Sequence, residues 1–133
     1  MSGTGFYVLG NGKEEAAVDS GHDPGRMRGL SVNGTPFCRV RVARTPWLRL
    51  RGWIGRRPEP DEALWLEPCS AVHTFGMVVP IDVVFVDGQG RVLKVVSGLR
   101  PFRFAACPGA AAAVELPAGR ALGITEGSVL EAV

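Results

Sequence analysis

The chain has 133 residues, enough for a single domain with its own core, and its 46% hydrophobic and 21% charged residues exclude an intrinsically disordered chain. Its 18 glycines and 10 prolines exclude a long helical bundle and favour short strands joined by turns. The net charge of +2 is too small to indicate a class of partner, so only the distribution of charge along the chain is informative.

The first third of the chain predicts a leader followed by a strand. Residues 1–33 hold seven glycines and short apolar stretches, and we interpret them as an N-terminal leader that is loosely packed or adds an edge strand. The domain proper is predicted at 34–133. It opens with a half-buried strand from Phe37, in which apolar and basic residues alternate: Cys38, Val40 and Val42 against Arg39 and Arg41.

A helix is predicted after this strand. Thr45 and Pro46 suit the N-cap and the first helical position. Gly55 suits the C-terminal stop. An apolar stripe with helical spacing lies between them, at Trp47, Leu50 and Ile54.

The rest of the chain predicts strands and turns. Asp87-Gly88-Gln89-Gly90 is a hairpin signal between two β-branched runs. A short helical turn is predicted at 117–122. The predicted strands lie at 63–66, 81–86, 91–96, 111–116 and 128–133. The residues alone therefore indicate a mostly antiparallel β domain that carries one helix.

Charge is concentrated in one band. Residues 31–58 contain no acidic residue and carry a charge of +7, whereas the segments before and after it carry −1 and −4. The band consists of arginines: Arg39, Arg41, Arg44, Arg49, Arg51, Arg56 and Arg57. We interpret it as a solvated face. An alternative is that residues 39–57 bind an acidic partner. Nucleic-acid binding is disfavoured because Trp47 and Trp53 belong with the apolar side of the predicted helix.

The sequence predicts a cytoplasmic protein without a membrane span. Its start lacks the basic and apolar regions of a signal peptide, and no apolar run approaches 18 residues. Three cysteines are an odd number and too few for a disulfide framework, which fits a reducing compartment.

Residues 67–82 place polar side chains among residues that otherwise suit a core. Asp82 is the clearest case, because it lies inside an apolar strand, where a carboxylate needs a cation or several N–H donors. We interpret it first as a buried structural acid, paired with arginine and capping loop amides. The alternatives are a catalytic or ligand-binding acid and a solvent-facing one.

Cys69 and His73 have a second set of interpretations. With Cys107 they are possible zinc ligands, although a structural site normally has four ligands at tighter spacings. Cys69 could form a disulfide with Cys107, or act as a nucleophile with His73 as its base. A hydrogen-bonded, half-buried histidine is the simpler interpretation of His73, and we predict no metal ion and no cofactor.

Several motifs together resemble the DUF192 family. They are Arg51-Gly-Trp-Ile-Gly-Arg56, Val72-His-Thr-Phe-Gly-Met77, Pro80-Ile-Asp-Val-Val-Phe-Val-Asp87, Leu99-Arg-Pro101, Val114-Glu-Leu-Pro-Ala-Gly119 and Gly123-Ile-Thr-Glu-Gly127. The resemblance runs from about residue 37 to 133. It implies a bacterial or archaeal protein without an established activity. With the element pattern, it implies an α+β, mostly antiparallel β fold. This would be a small barrel-like domain with one helix after the first core strand and a short C-terminal helical turn.

The function is therefore predicted as unknown, with a ligand- or partner-binding module as the leading hypothesis. Its polar cleft would be lined by Cys69, His73, Thr74, Met77 and Asp82, with Arg51 and Arg100 as candidate partners of Asp82. The alternative is a hydrolase or transferase that uses Cys69 or His73 with Asp82. We expect a small molecule or a protein as the partner, and a monomer or weak dimer.

Overall fold

The described part of the computed structural model, residues 27–44 and 60–133, is built from nine strands. Seven form one sheet in the order β6-β5-β8-β3-β2-β1-β9, and β4 and β7 form a separate pair. Every neighbouring pair is antiparallel except β2 and β3. The strands are β1 Met27–Val32, β2 Thr35–Ala43, β3 Glu62–Leu66, β4 Ala71–His73, β5 Ile81–Val86, β6 Val92–Leu99, β7 Phe104–Ala106, β8 Ala112–Pro117 and β9 Leu130–Ala132.

The predicted α+β class is wrong, because the described residues contain no helix and the sheet does not close into a barrel. Between the two edge strands β6 and β9 there is no ladder but one isolated bridge, which joins Arg91 and Val129, the residues just before them. β9 is three residues long and all three pair with β1. The helix predicted at 45–55 lies outside the described residues. Within them, no helix has the length and apolar character needed to cross a membrane.

The predicted C-terminal helical turn is also wrong. Residues 117–124 form successive tight turns, in which the N–H groups of Arg120, Leu122 and Ile124 donate to the carbonyl three residues earlier at 2.9–3.3 Å. Gly119 and Gly123 have φ angles of 91° and 95°. This left-handed conformation, which glycine adopts without steric cost, interrupts any helix.

Strands with a strong pattern formed where the sequence predicts them. The alternation from Phe37 is β2, the β-branched run is β5, and the hairpin after Asp87 joins β5 to β6. β1 begins at Met27, within the residues interpreted as a leader, and pairs with both β2 and β9. The short strands β4 and β7 were not predicted.

β5 is an interior strand that is buried on both faces, because all six of its residues are buried and it pairs with both β6 and β8. Its side chains alternate between two cores. Ile81, Val83 and Phe85 face a first core, which also contains Cys69, Val72 and Met77. Val84 and Val86 face a second core, which also contains Leu30, Val40, Leu116 and Leu130. The two faces of β5 are therefore separate environments.

Candidate functional site

The buried residue Thr74 connects two loops at one end of the molecule. Its hydroxyl donates to the carbonyl oxygen of Arg100 at 2.6 Å and accepts from the N–H of Arg103 at 2.9 Å. Its own N–H donates to the carbonyl oxygen of Arg103 at 2.9 Å, and its carbonyl accepts from the N–H of Phe102 at 3.2 Å. The loop after β4 thus holds the loop between β6 and β7 through four hydrogen bonds.

These hydrogen bonds fix Phe102 in an unfavourable backbone conformation. Its φ is 63°, a left-handed value that is a genuine outlier for a bulky side chain. A conformation of this kind costs on the order of 1 kcal/mol and persists where the surroundings determine it, often at binding sites. Phe102 is nevertheless 68% exposed, so the strained backbone presents its ring to solvent.

Three phenylalanines and a histidine form one aromatic surface around this loop. Phe75 and Phe104 are 49% and 54% exposed. The ring of Phe75 lies 5.0 Å from that of His73 and 6.0 Å from that of Phe102, centroid to centroid. His73 and Phe104 are directly opposite in the β4–β7 ladder, so their side chains lie on the same face. The Nδ1 atom of His73 accepts from the N–H of Phe75 at 3.3 Å.

The surroundings of these rings carry positive charge. Residues 88–114 contain no acidic residue, and neither do residues 70–81, which hold His73 and Phe75. Arg100 and Arg103 are exposed on either side of Phe102, and Lys94 donates through Nζ to the carbonyl oxygen of Ala106 in β7 at 2.9 Å. We call the set His73, Phe75, Arg100, Phe102, Arg103 and Phe104 the Phe102 surface.

Sequence reasoning missed the Phe102 surface although a signal for it was present. Four of the five basic residues after residue 58 fall in the acid-free segment 88–114: Arg91, Lys94, Arg100 and Arg103. The net charge of residues 59–133 is negative and conceals this separation. The exposure of the phenylalanines had no comparable signal, since an isolated phenylalanine in a sequence indicates burial first.

Asp82 is buried, 1% exposed, and holds three segments together. Its Oδ1 atom accepts from the N–H of Gly98 at 2.8 Å, and its Oδ2 atom accepts from the N–H groups of Gly119 and Ala121, both at 2.9 Å. Ala121 belongs to the second core, and Asp82 lies on the same side of β5 as Val84. Three backbone donors satisfy the buried carboxylate. These are the loop amides expected for a structural acid, whereas within the described residues no arginine, Arg100 included, forms an ion pair with Asp82.

The structure brings together some of the predicted site residues and separates others. His73 and Arg100 belong to the Phe102 surface, and the buried Thr74 joins the two loops that carry it. Cys69 and Met77 are buried in the first core, on the opposite side of β5 from Asp82. The Sγ atom of Cys69 donates to the carbonyl oxygen of Ala71 at 3.2 Å. Arg51 lies outside the described residues.

The described arginines of the predicted basic band are engaged in ion pairs. Arg39 lies 3.6 Å from Asp61, and Arg41 and Arg44 lie 3.3 Å and 3.2 Å from Glu62 and Glu67. These three cations therefore offer less positive potential to a partner than the sequence suggests.

Cys38 and Cys107 are free thiols, and burial raises the pKa of both, so both stay protonated at neutral pH. Among the residues that the structure describes, no group of three or more His, Cys, Asp or Glu side chains could hold a metal ion.

Comparison with known proteins gives one family and two structural relatives. A family model, DUF192, described as "Uncharacterized ACR, COG1430", matches residues 29–132. A solved protein of unknown function from Novosphingobium aromaticivorans is 24% identical, with a TM-score of 0.71 over 79% of this chain and 84% of that chain. A "putative transcription regulator" from Sinorhizobium meliloti is 21% identical, with a TM-score of 0.72 over 80% of this chain and 94% of that chain. No curated protein matches. At these identities, the two relatives establish the shared fold.

Proposed function

The chain belongs to the DUF192 family of uncharacterised proteins, and we propose that it is a binding module whose ligand site is the Phe102 surface. The ligand is anionic and partly apolar. The observation that carries this proposal is the meeting of exposed phenylalanines with an acid-free, arginine-flanked segment. The proposal keeps the binding-module hypothesis and the cytoplasmic location, and it centres the site on His73 and Phe102 instead of on Asp82.

The chemistry of the surface supports an anionic ligand. Contiguous exposed apolar area on a small protein marks an interaction site, and aromatic residues and arginine are enriched where proteins bind partners. Arg100 and Arg103 offer planar guanidinium groups that bind carboxylates or phosphates in a bidentate manner. Because no acidic residue lies in either contributing segment, the local field attracts anions.

The geometry favours binding over the alternative of catalysis. For Asp82 to orient His73, its carboxylate has to lie against the imidazole. Both oxygens accept backbone N–H groups on the second-core side of β5, whereas His73 lies in β4 at the Phe102 surface. A Cys69 nucleophile also lacks access, since Cys69 is completely buried.

The proposal can be tested with anilinonaphthalene sulfonate, a small anionic aromatic compound, in an amide NMR titration. We expect shift changes confined to residues 73–78 and 99–106. Phe102→Ala and Arg103→Glu should each weaken binding at least fivefold. Leu122→Ala and Arg28→Glu are matched controls, because Leu122 is an isolated exposed apolar residue and Arg28 an exposed arginine on β1. Binding that maps elsewhere, or that survives both surface variants, would contradict the proposal.

A further inference from the structure

We propose that the partner of the Phe102 surface is a phospholipid bilayer with anionic headgroups. This inference rests on the proposed function and names the partner class. The protein would lie on the membrane surface, with phenylalanine rings at the boundary of the acyl chains and arginines among the headgroup phosphates. Amphipathic surfaces of this composition bind in the interface without spanning the bilayer.

The apolar part of the surface has the composition that a bilayer interface requires. Phe75, Phe102 and Phe104 are each about half exposed or more, and Val78, three residues after Phe75 in the chain, is 51% exposed. Together the three rings expose roughly 300 Å² of apolar surface to water, which equals the largest apolar patch on many monomeric proteins. Phe75 and Phe102 lie on different loops that Thr74 ties together, so they would enter the interface as one rigid unit.

The charged part of the surface selects anionic lipid. Arg100 and Arg103 flank Phe102, and their long stems allow each guanidinium to reach phosphate while the rings stay in the apolar layer. Each basic residue near an anionic bilayer strengthens binding about fivefold. Residues 88–114 themselves contain no acidic residue that would repel anionic headgroups.

The arrangement of the rings favours a bilayer over single-stranded nucleic acid. Proteins that bind single strands present separate aromatic faces on which successive bases stack. Here the ring of Phe75 already contacts those of His73 and Phe102. Thr74, which could otherwise hydrogen-bond a base, directs its hydroxyl to the backbone. What remains outside is mainly the hydrocarbon of the three exposed phenylalanine rings, with the exposed Arg100 and Arg103 on either side of Phe102.

Vesicle sedimentation tests the inference on the full chain. We expect binding to phosphatidylcholine vesicles that contain about 30% phosphatidylglycerol and little binding to pure phosphatidylcholine, since the arginines require anionic headgroups. Phe102→Ala with Phe104→Ala should weaken binding at least tenfold, and Arg100→Glu with Arg103→Glu should weaken it more. Raising the salt from about 0.1 to about 0.5 M should also weaken it. Leu122→Ala and Arg28→Glu should bind like the unmodified chain.

Two further measurements separate the possible failures. Phe102→Trp should show fluorescence quenching by brominated lipid beyond that of the unmodified chain, which reports insertion and not simple adsorption. Equal binding to neutral vesicles, or no quenching, would overturn the inference. Binding of an oligothymidylate without binding of vesicles would overturn it and leave the proposed function standing. If the unmodified chain did not bind the sulfonate at these residues in the NMR titration, the proposed function itself would be wrong.

Discussion

The backbone N–H of Phe102 donates to the carbonyl oxygen of Thr74 at 3.2 Å, and this contact joins a 68% exposed residue to a completely buried one. Hydrogen bonds from Thr74 to Arg100 and Arg103 hold the chain on both sides of it. A bulky residue with a φ of 63° is therefore maintained at a cost in stability. Because its ring contributes little to the core, binding gives the simplest reason for keeping phenylalanine at this position.

Replacing Phe102 with glycine should separate stability from binding. Glycine adopts a φ of 63° without steric cost, so Phe102→Gly should leave the free energy of unfolding unchanged or raise it by up to about 1 kcal/mol. The same change removes the central ring of the Phe102 surface, and binding of anilinonaphthalene sulfonate should fall at least fivefold. Urea unfolding followed by circular dichroism and the NMR titration measure the two effects.

Phe104→Gly provides the matched control for that experiment. Phe104 lies in β7, where glycine loses more conformational entropy than another residue would, so this variant should lose about 0.5–1 kcal/mol. Both variants remove one exposed ring. If Phe102→Gly destabilises the protein as much as Phe104→Gly, the backbone at residue 102 is not strained.

Asp82→Asn should destabilise the protein by about 2–4 kcal/mol. Both carboxylate oxygens of Asp82 accept from backbone N–H groups, and an asparagine NH2 in place of one oxygen would face a donor and leave it unpaired in a buried site. Urea unfolding measures the loss.

Asp87→Asn is the control for the asparagine substitution. In the hairpin, Oδ1 of Asp87 accepts from the N–H groups of both Gln89 and Arg91. The amide oxygen of asparagine can take over both bonds, so the loss should stay below about 1 kcal/mol. An equal loss of stability in the two variants would mean that the burial of the three N–H donors around Asp82 does not determine how much this residue contributes to the free energy of unfolding.

The sequence predicted those parts of the fold in which a local pattern coincides with the final environment. The alternation in β2 and the apolar run of β5 reflect their burial directly, and Asp87-Gly88 sets the hairpin. β4 and β7 have three residues each, too few for a period. Their pairing accompanies hydrogen bonds from Thr74 to Arg100 and Arg103, which lie 26 and 29 positions further along the chain. No local sequence pattern encodes contacts at that separation.

The candidate site was predicted in part for the same reason. His73, Thr74 and Asp82 stood out as polar residues in an apolar context, but the sequence does not show on which face of a central strand each side chain lies. Asp82 and Met77 are five residues apart and lie on opposite sides of β5. Phe102 is exposed because hydrogen bonds from another loop impose a left-handed backbone on it. A phenylalanine in a sequence gives no indication of such a backbone conformation.

Gly90→Ala should destabilise the protein by at least about 2 kcal/mol. Gly90 has a φ of 84°, and a Cβ atom there would overlap the carbonyl oxygen of Leu130. Its own carbonyl accepts from the N–H of Leu130 at 2.8 Å, beside the bridge between the two sheet edges. Strain and overlap of this kind each cost about 1–3 kcal/mol. Gly88→Ala, two residues earlier with no neighbour within 4 Å, should change stability by less than about 0.5 kcal/mol in the same urea titration.

Glu115 should make stability depend on pH. It lies in β8 opposite Leu64 and Val83, on the side of the first core, and burial raises its pKa to about 8. The unfolded chain releases this proton near pH 4.5, whereas the folded chain retains it to about pH 8, so folding takes up a proton between these values. The stability that the protonated Glu115 contributes is fully present below about pH 4.5. As pH rises from there to about 8, the free energy of unfolding falls by about 1.4 kcal/mol per pH unit.

Glu115→Gln should remove this dependence, because the amide stays neutral at every pH. The difference in the free energy of unfolding between the unmodified chain and Glu115→Gln should change by on the order of 3 kcal/mol from pH 5 to 7.5, with the unmodified chain losing stability as pH rises. Glu126→Gln, at an exposed position in the turn before β9, is the control for replacing a carboxyl group with an amide. A constant difference for Glu115→Gln would mean that water or a cation reaches the carboxylate and keeps it ionised in the folded chain.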